Sequence, residues 1–115
     1  MKENLMSSSY PDTNLYINGK WRSGASNKWS DVIDPANEEV VGKFAVADNV
    51  DLDEALEAAN IAFKSWRKIA PFARYKIMRK AAELLRQRAD TVAQIMTIEQ
   101  GKPIAEAKGE TLLGA

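Results

Sequence analysis

Apolar and polar positions alternate with a period of two over the first part of the chain, then switch to a period near 3.6 at Asp48. Leu15-Tyr16-Ile17 and Lys20-Trp21-Arg22 flank Asn18-Gly19. Both residues of an Asn-Gly pair tolerate positive φ, so this pattern predicts a tight β-hairpin. Residues 29–33 and 40–47 predict a second hairpin around Asp34-Pro35-Ala36-Asn37. There Pro35 presets φ for the turn, and the Asp34 carboxylate bonds its own backbone. Past Asp48, Leu52, Ala55, Leu56, Ala59, Ala62, Phe63 and Trp66 recur on one helical face. Asp51 is placed to cap that helix, with Glu54 bonding back to it. Pro71 opens a second helix with the stripe Ile77, Met78, Ala81, Leu84 and Leu85. A third runs from about 90 to 100, with Val92, Ile95 and Met96 inward, and a fourth starts at Pro103 and continues through Leu112 and Leu113. Residues 1–14 are polar and Ser-rich and predict a flexible lead-in.

This order, two β-hairpins followed by about four helices, places the chain in the α/β class with no strand that closes a sheet. Isolated two-stranded hairpins are marginal without partners. The expectation is therefore the front of a larger protein.

The segment Glu99-Gln100-Gly101-Lys102-Pro103 joins the last two helices. Gly101 suits the left-handed residue that ends a helix, and Pro103 suits a first helical position. Glu99 is the exception. It shares the face of Val92, Ile95 and Met96, at the helix end where the macrodipole disfavours negative charge. A buried carboxylate there needs a hydrogen bond, an opposite charge or a metal. The simplest alternative has Glu99 leaning into solvent or pairing with Lys102.

Composition narrows the chemistry. The 115 residues carry 16 basic and 16 acidic side chains, so net charge selects no polyanionic partner. The charges are nevertheless segregated: residues 31–57 hold nine acids and one base, Lys43, while residues 64–88 hold nine bases and one acid, Glu83. A basic helix of this kind could bind nucleic acid or an anionic membrane. With no recognisable nucleic-acid module, the expectation is instead that these charges meet the acidic segment across the fold. Cys and His are both absent, which removes disulfides, Cys/His zinc sites, thiol nucleophiles and imidazole bases. None of the serines lies in a nucleophile elbow, and no glycine loop has a phosphate-cradling pattern. The acidic groups Glu38-Glu39 and Asp51/Asp53/Glu54 fit turn solvation and helix capping. The aromatic residues, Trp66 among them, fit core or interface packing. No apolar run reaches membrane-spanning length. The expectation is a soluble, cytoplasmic protein without nucleic-acid or membrane partners.

Several ordered motifs together resemble the aldehyde dehydrogenase superfamily. They are Leu15-Tyr16-Ile17-Asn18-Gly19-Lys20-Trp21, Asp34-Pro35-Ala36-Asn37-Glu38, Ala58-Ala59-Asn60-Ile61-Ala62-Phe63-Lys64-Ser65-Trp66, and Met96 to Pro103 continuing to Glu110. The similarity is strongest to succinate-semialdehyde dehydrogenases and spans residues 15–115. It implies the N-terminal part of a Rossmann-like, NAD- or NADP-binding domain, from an enzyme that oxidises an aldehyde such as succinate semialdehyde. It further implies a homo-oligomer whose nucleophilic Cys, general-base Glu and cofactor-binding residues all lie downstream. No catalytic or cofactor-binding residue is assigned within this chain. The resemblance also implies a structural Na⁺/K⁺ site using the carbonyls of Val32 and Ile33 and the carboxylate of Glu99, with hard oxygen ligands suited to such ions. Competing readings are an autonomous helical binding module using the basic 64–88 face, and a truncated, non-catalytic dehydrogenase subunit.

Overall fold

The computed structural model describes residues 10–115. Two antiparallel hairpins come first: β1 (Leu15–Ile17) with β2 (Lys20–Arg22), and β3 (Trp29–Ile33) with β4 (Val40–Ala45). Four helices follow: α1 (Asn49–Trp66), α2 (Pro71–Gln87), α3 (Ala89–Gln100) and α4 (Ile104–Gly114). All predicted elements are present.

The first hairpin turns on Asn18 and Gly19, with φ of 50° and 76°, as a two-residue turn between right-twisted strands requires. Tyr16 and Trp21 face each other across it, with ring centroids 4.8 Å apart. In the second hairpin Asp34 Oδ1 accepts from the Ala36 amide at 2.8 Å, the expected side-chain turn. The register slips between Val32 and Ile33, because Val32 pairs with Gly42 and Ile33 with Val40. β4 ends at Ala45, short of the predicted 47. The Val46 amide leaves the ladder to donate to the Lys28 carbonyl at 2.9 Å, and Asp48 then starts the helix.

Of the lead-in expected over residues 1–14, residues 1–9 lie outside the described part, and residues 12–13 are pinned to β4. Thr13 forms a parallel bridge with Phe44, its amide donates to the Lys43 carbonyl at 2.8 Å, and its carbonyl accepts from the Ala45 amide at 2.8 Å. Asp12 Oδ1 accepts from the Lys43 amide at 3.0 Å.

The cap of α1 sits one turn earlier than the spacing suggested. Asp48 is the N-cap, accepting from the Val50 and Asp51 amides, and Asp51 reaches back to the Asp48 amide at 3.0 Å. Glu54 plays no part in the cap and bonds Arg22 instead. At the other end of the helical run, Gly101 closes α3 with φ of 76°, its amide donating to the Thr97 carbonyl at 2.8 Å.

Helices α3 and α4 form the tightest pair. Ala89, Ala93, Ala107 and Thr111 are buried there, small residues that let two backbones approach. Helix α2 rests against both, and α1 lies on β1. The large side chains of the predicted stripes are not enclosed. Leu52, Leu56, Phe63, Ile77 and Met78 are all more than half exposed, and Trp66 is half-buried. Among the described residues, the largest fully buried side chain is a carboxylate, Asp51. A folded domain of 12.8 kDa exposes about 6,300 Å²; this chain exposes 9270 Å². Nine residues in an unfolded chain account for at most about 1,450 Å² of that difference. Roughly 1,500 Å² of surplus surface remains, and large apolar side chains such as Leu56, Phe72 and Met78 are among those exposed.

The segregated charges do not meet as expected. The ion pairs among the described residues are Arg22 with Asp51 and Glu54, Lys80 with Glu83, Lys102 with Glu110, and Lys108 with Asp90. None joins the basic 64–88 stretch to the acidic 31–57 stretch. The cause is geometric: α1 turns its acidic start toward β2, while α2 packs on α3 and α4.

Candidate functional site

The three residues singled out as cation ligands converge. Val32 and Ile33 on β3 and Glu99 in the last turn of α3 line one open groove of about 400 Å³, together with Tyr10, Thr13, Asp31 and Phe44. The sheet geometry explains the meeting. Val32 and Gly42 are paired, so they share a face, and the ring of Tyr10 lies over Gly42 where a Cβ would strike it. From there the Tyr10 hydroxyl donates to Glu99 Oε1. Partial burial first, and then the Glu99 carboxylate, push the Tyr10 hydroxyl up to about 12, so it stays protonated and donating at neutral pH. Glu99 therefore has a partner despite its unfavourable helix end. That partner is not Lys102, which pairs with Glu110. The turn of the second hairpin closes on the same junction: a Cβ on Gly101 would lie 3.0 Å from Pro35 Cγ.

The polar side chains lining the groove all carry oxygen: the carboxylates of Asp31 and Glu99 and the hydroxyls of Tyr10 and Thr13. Among the described residues no three Cys, His, Asp or Glu side chains gather.

A second polar centre holds the first hairpin to α1. Asp51, fully buried, accepts from Arg22 Nη1 at 2.7 Å, from the Ala25 amide at 3.0 Å and from the Asp48 amide at 3.0 Å. Arg22 also donates to the Ser23 carbonyl at 2.9 Å and to Glu54 Oε2 at 2.6 Å. The amides of Asp48 and Ala25, with the Arg22 guanidinium, hold the Asp51 carboxyl down to about 2 against the opposing effect of burial. Asp51 in turn raises Arg22 above its ordinary value. Each charge is paired and hydrogen-bonded, which is the condition under which a buried ion is tolerated. The centre is a structural joint and contains no nucleophile.

Neither Tyr10 nor Arg22 was singled out by sequence. One signal for Tyr10 was available: an isolated glycine inside a strand, Gly42, marks a bulge or a close approach. For the joint, the signal was the acidic repeat Asp48, Asp51, Glu54, which offers two capping registers where one suffices.

Comparison with known proteins places the chain. The aldehyde dehydrogenase family model matches residues 21–115. The methylmalonate-semialdehyde/malonate-semialdehyde dehydrogenase [acylating] of Mus musculus mitochondria is 33% identical over 108 residues, covering 94% of this chain and 20% of that protein. The crystal structure of an NAD-dependent aldehyde dehydrogenase from Sinorhizobium meliloti superposes with a TM-score of 0.84 at 33% identity, covering 89% of this chain and 21% of that one. That of succinate-semialdehyde dehydrogenase from Burkholderia pseudomallei gives 0.84 at 37% identity, covering 86% and 20%. The chain thus spans about a fifth of the length of the proteins it matches. With two hairpins, four helices and an ordered match from residue 21 onward, this chain belongs to the aldehyde dehydrogenase family.

Proposed function

We propose that this chain is the N-terminal portion of an NAD(P)-dependent aldehyde dehydrogenase subunit, which oxidises an aldehyde to its carboxylic acid and passes the hydride to a nicotinamide. The observation that carries this reading is the surplus surface, with large apolar side chains of α1 and α2 exposed on it. About 1,500 Å² is nearly twice what one partner contributes to a standard interface. A longer polypeptide of the family would cover these faces. The nucleophilic Cys and the general base would come from outside this chain, which has no Cys or His.

Succinate semialdehyde is the substrate favoured by the sequence motifs. Malonate and methylmalonate semialdehydes, in the name of the mouse relative, share its chemistry of an aldehyde at one end and a carboxylate at the other. The substrate class is thus a short aldehyde bearing a remote carboxylate, acted on by a cytoplasmic homo-oligomer. The groove would hold Na⁺ or K⁺ through Val32, Ile33 and Glu99 as a structural ion.

The test is the mass and activity of the native polypeptide. Peptides of this chain, captured by antibody from its source, should belong to a polypeptide about five times as long, since 108 matched residues are 20% of the mouse relative. The captured protein should produce NAD(P)H from succinate or malonate semialdehyde, with a requirement for coenzyme A marking the acylating variant. A native polypeptide of 12.8 kDa without this activity would overturn the reading.

A further inference from the structure

We propose that Asn18 is a self-modification site, where the side-chain amide is lost through a succinimide formed with the Gly19 nitrogen, and that the resulting isoaspartyl link unseats the first hairpin from α1. This inference rests on the hairpin and the Arg22–Asp51 joint and does not depend on the dehydrogenase reading.

The chemistry needs an Asn whose following main-chain nitrogen is uncrowded and unbonded. Asn residues are among the thermally labile ones for this reason. Of all the Asn residues in the chain, only Asn18 precedes a glycine. Asn18 and Gly19 are both exposed, and a Cβ on Gly19 would meet nothing within 4 Å. Strand pairing engages Ile17 and Lys20 and leaves out the two turn residues. Among the described residues no main-chain carbonyl accepts from the Gly19 amide. The groove between the turn and α1, lined by Asn18, Gly19, Ala58 and Ala62 among others, is open, so water reaches the site. The comparable positions are held. Asn37 accepts from the Glu39 amide and donates to Glu39 Oε2, both at 3.0 Å. In Gln100-Gly101 the glycine amide is already spent on the Thr97 carbonyl at 2.8 Å.

The reaction consumes water and releases ammonia, with no oxidant or reductant. Solvent base takes the Gly19 amide proton, the nitrogen bonds to Cγ of Asn18, and Nδ2 leaves as ammonia. Water then opens the succinimide at either carbonyl. One opening leaves an ordinary aspartyl link, and the other leaves an isoaspartyl link with an extra backbone carbon. A two-residue turn sets the register of its strands, here Tyr16 opposite Trp21 and Leu15 opposite Arg22. An added backbone carbon breaks that geometry and draws Arg22 off Asp51, leaving a buried carboxylate without its cation.

The experiment ages the native-length polypeptide that carries this chain at neutral and mildly alkaline pH. Conversion is followed by peptide mass spectrometry and by enzymatic methylation of isoaspartate, and stability by the urea midpoint. Asn18 should be the main site converted, faster at the higher pH, and the isoaspartyl form should lose about 1 M in midpoint. Asn18→Gly tolerates the left-handed turn and has no side-chain amide, so its midpoint should not change on ageing. Fresh Asn18→Asp should stay near the unaltered protein, which assigns the loss to the extra backbone carbon. If Asn18 stayed intact in the folded protein while converting in the urea-unfolded one, the site would be overturned. Conversion with no loss of midpoint, or an equal loss on ageing in Asn18→Gly, would overturn the link to the joint.

Discussion

Gly101→Ala is the sharpest test of how the α3–α4 junction is built. Gly101 has φ of 76°, in the left-handed region, and closes α3 through its amide. A residue with a Cβ costs roughly 1–2 kcal/mol there. The structure adds a second contribution, since the new Cβ would lie 3.0 Å from Pro35 Cγ. Pro35 is at an exposed turn and can yield a few tenths of an ångström, so this contact should add less than about 1 kcal/mol. The expected loss is about 1–2.5 kcal/mol. In urea, at a slope of about 2 kcal/mol per M, the midpoint should fall by about 0.5–1.2 M with the slope unchanged. Two controls separate the contributions. Gly101→Asn, tolerated in the left-handed region, should lose less than Gly101→Ala. In a Pro35→Ala background, Gly101→Ala should lose its contact part and keep its backbone part. If Gly101→Ala left the midpoint unchanged or raised it, as removal of backbone freedom does at an ordinary helical glycine, the left-handed closure of α3 would be wrong.

Three further outcomes follow from the joint and the exposed faces. The Asp51 carboxyl is held at about 2, below its ordinary 3.8, so its contribution to stability is fully present above pH 4 and is lost as pH falls from about 4 to about 2. Acid titration of Asp51→Asn should lack that portion of the unfolding, and an identical acid profile would refute the assignment. Gly24→Ala should destabilise by about 1–3 kcal/mol in chemical denaturation, because its Cβ would collide with the Val46 carbonyl and lie 3.2 Å from Asp51 Oδ2. The isolated 1–115 chain should bind a hydrophobic dye such as ANS strongly at neutral pH, and a fluorescence no greater than that of an ordinary folded protein would contradict the exposed apolar faces.

The elements were legible because each depends on local chemistry. Asn18-Gly19, Asp34-Pro35, Pro71 and Gly101 all act within a few residues of themselves, and the structure uses them where the sequence put them. The capping register was not legible. Asp48, Asp51 and Glu54 stand three apart, so local spacing permits either pair to cap, and the choice is made by Arg22 and the Ala25 amide, distant groups that claim Asp51. Burial was misjudged for a related reason. Periodicity reports which face of α1 or α2 is apolar but not what covers it, and here Leu56 and Met78 remain outside. The charge segregation was read as complementarity within the chain, yet sequence carries no information on which helix turns toward which. In the groove, Val32, Ile33 and Glu99 were anticipated together, whereas Tyr10 was hidden in a polar stretch whose only pointer was the glycine facing it.

The exposed stripes of α1 and α2 also have a meaning in time. Translation proceeds at about 5–20 residues per second, with N-terminal segments emerging first. In the longer protein proposed above, some four-fifths of the polypeptide would still be unmade when these helices leave the ribosome. At such rates their apolar faces would wait on the order of 20–90 s for a cover. During that interval the ionic joint at Asp51 and the small-residue seam of α3 and α4 would be what holds the segment in shape. A nascent chain in that condition would be a ready substrate for chaperones that grip hydrophobic helices, and the early part of this sequence is where they would be needed.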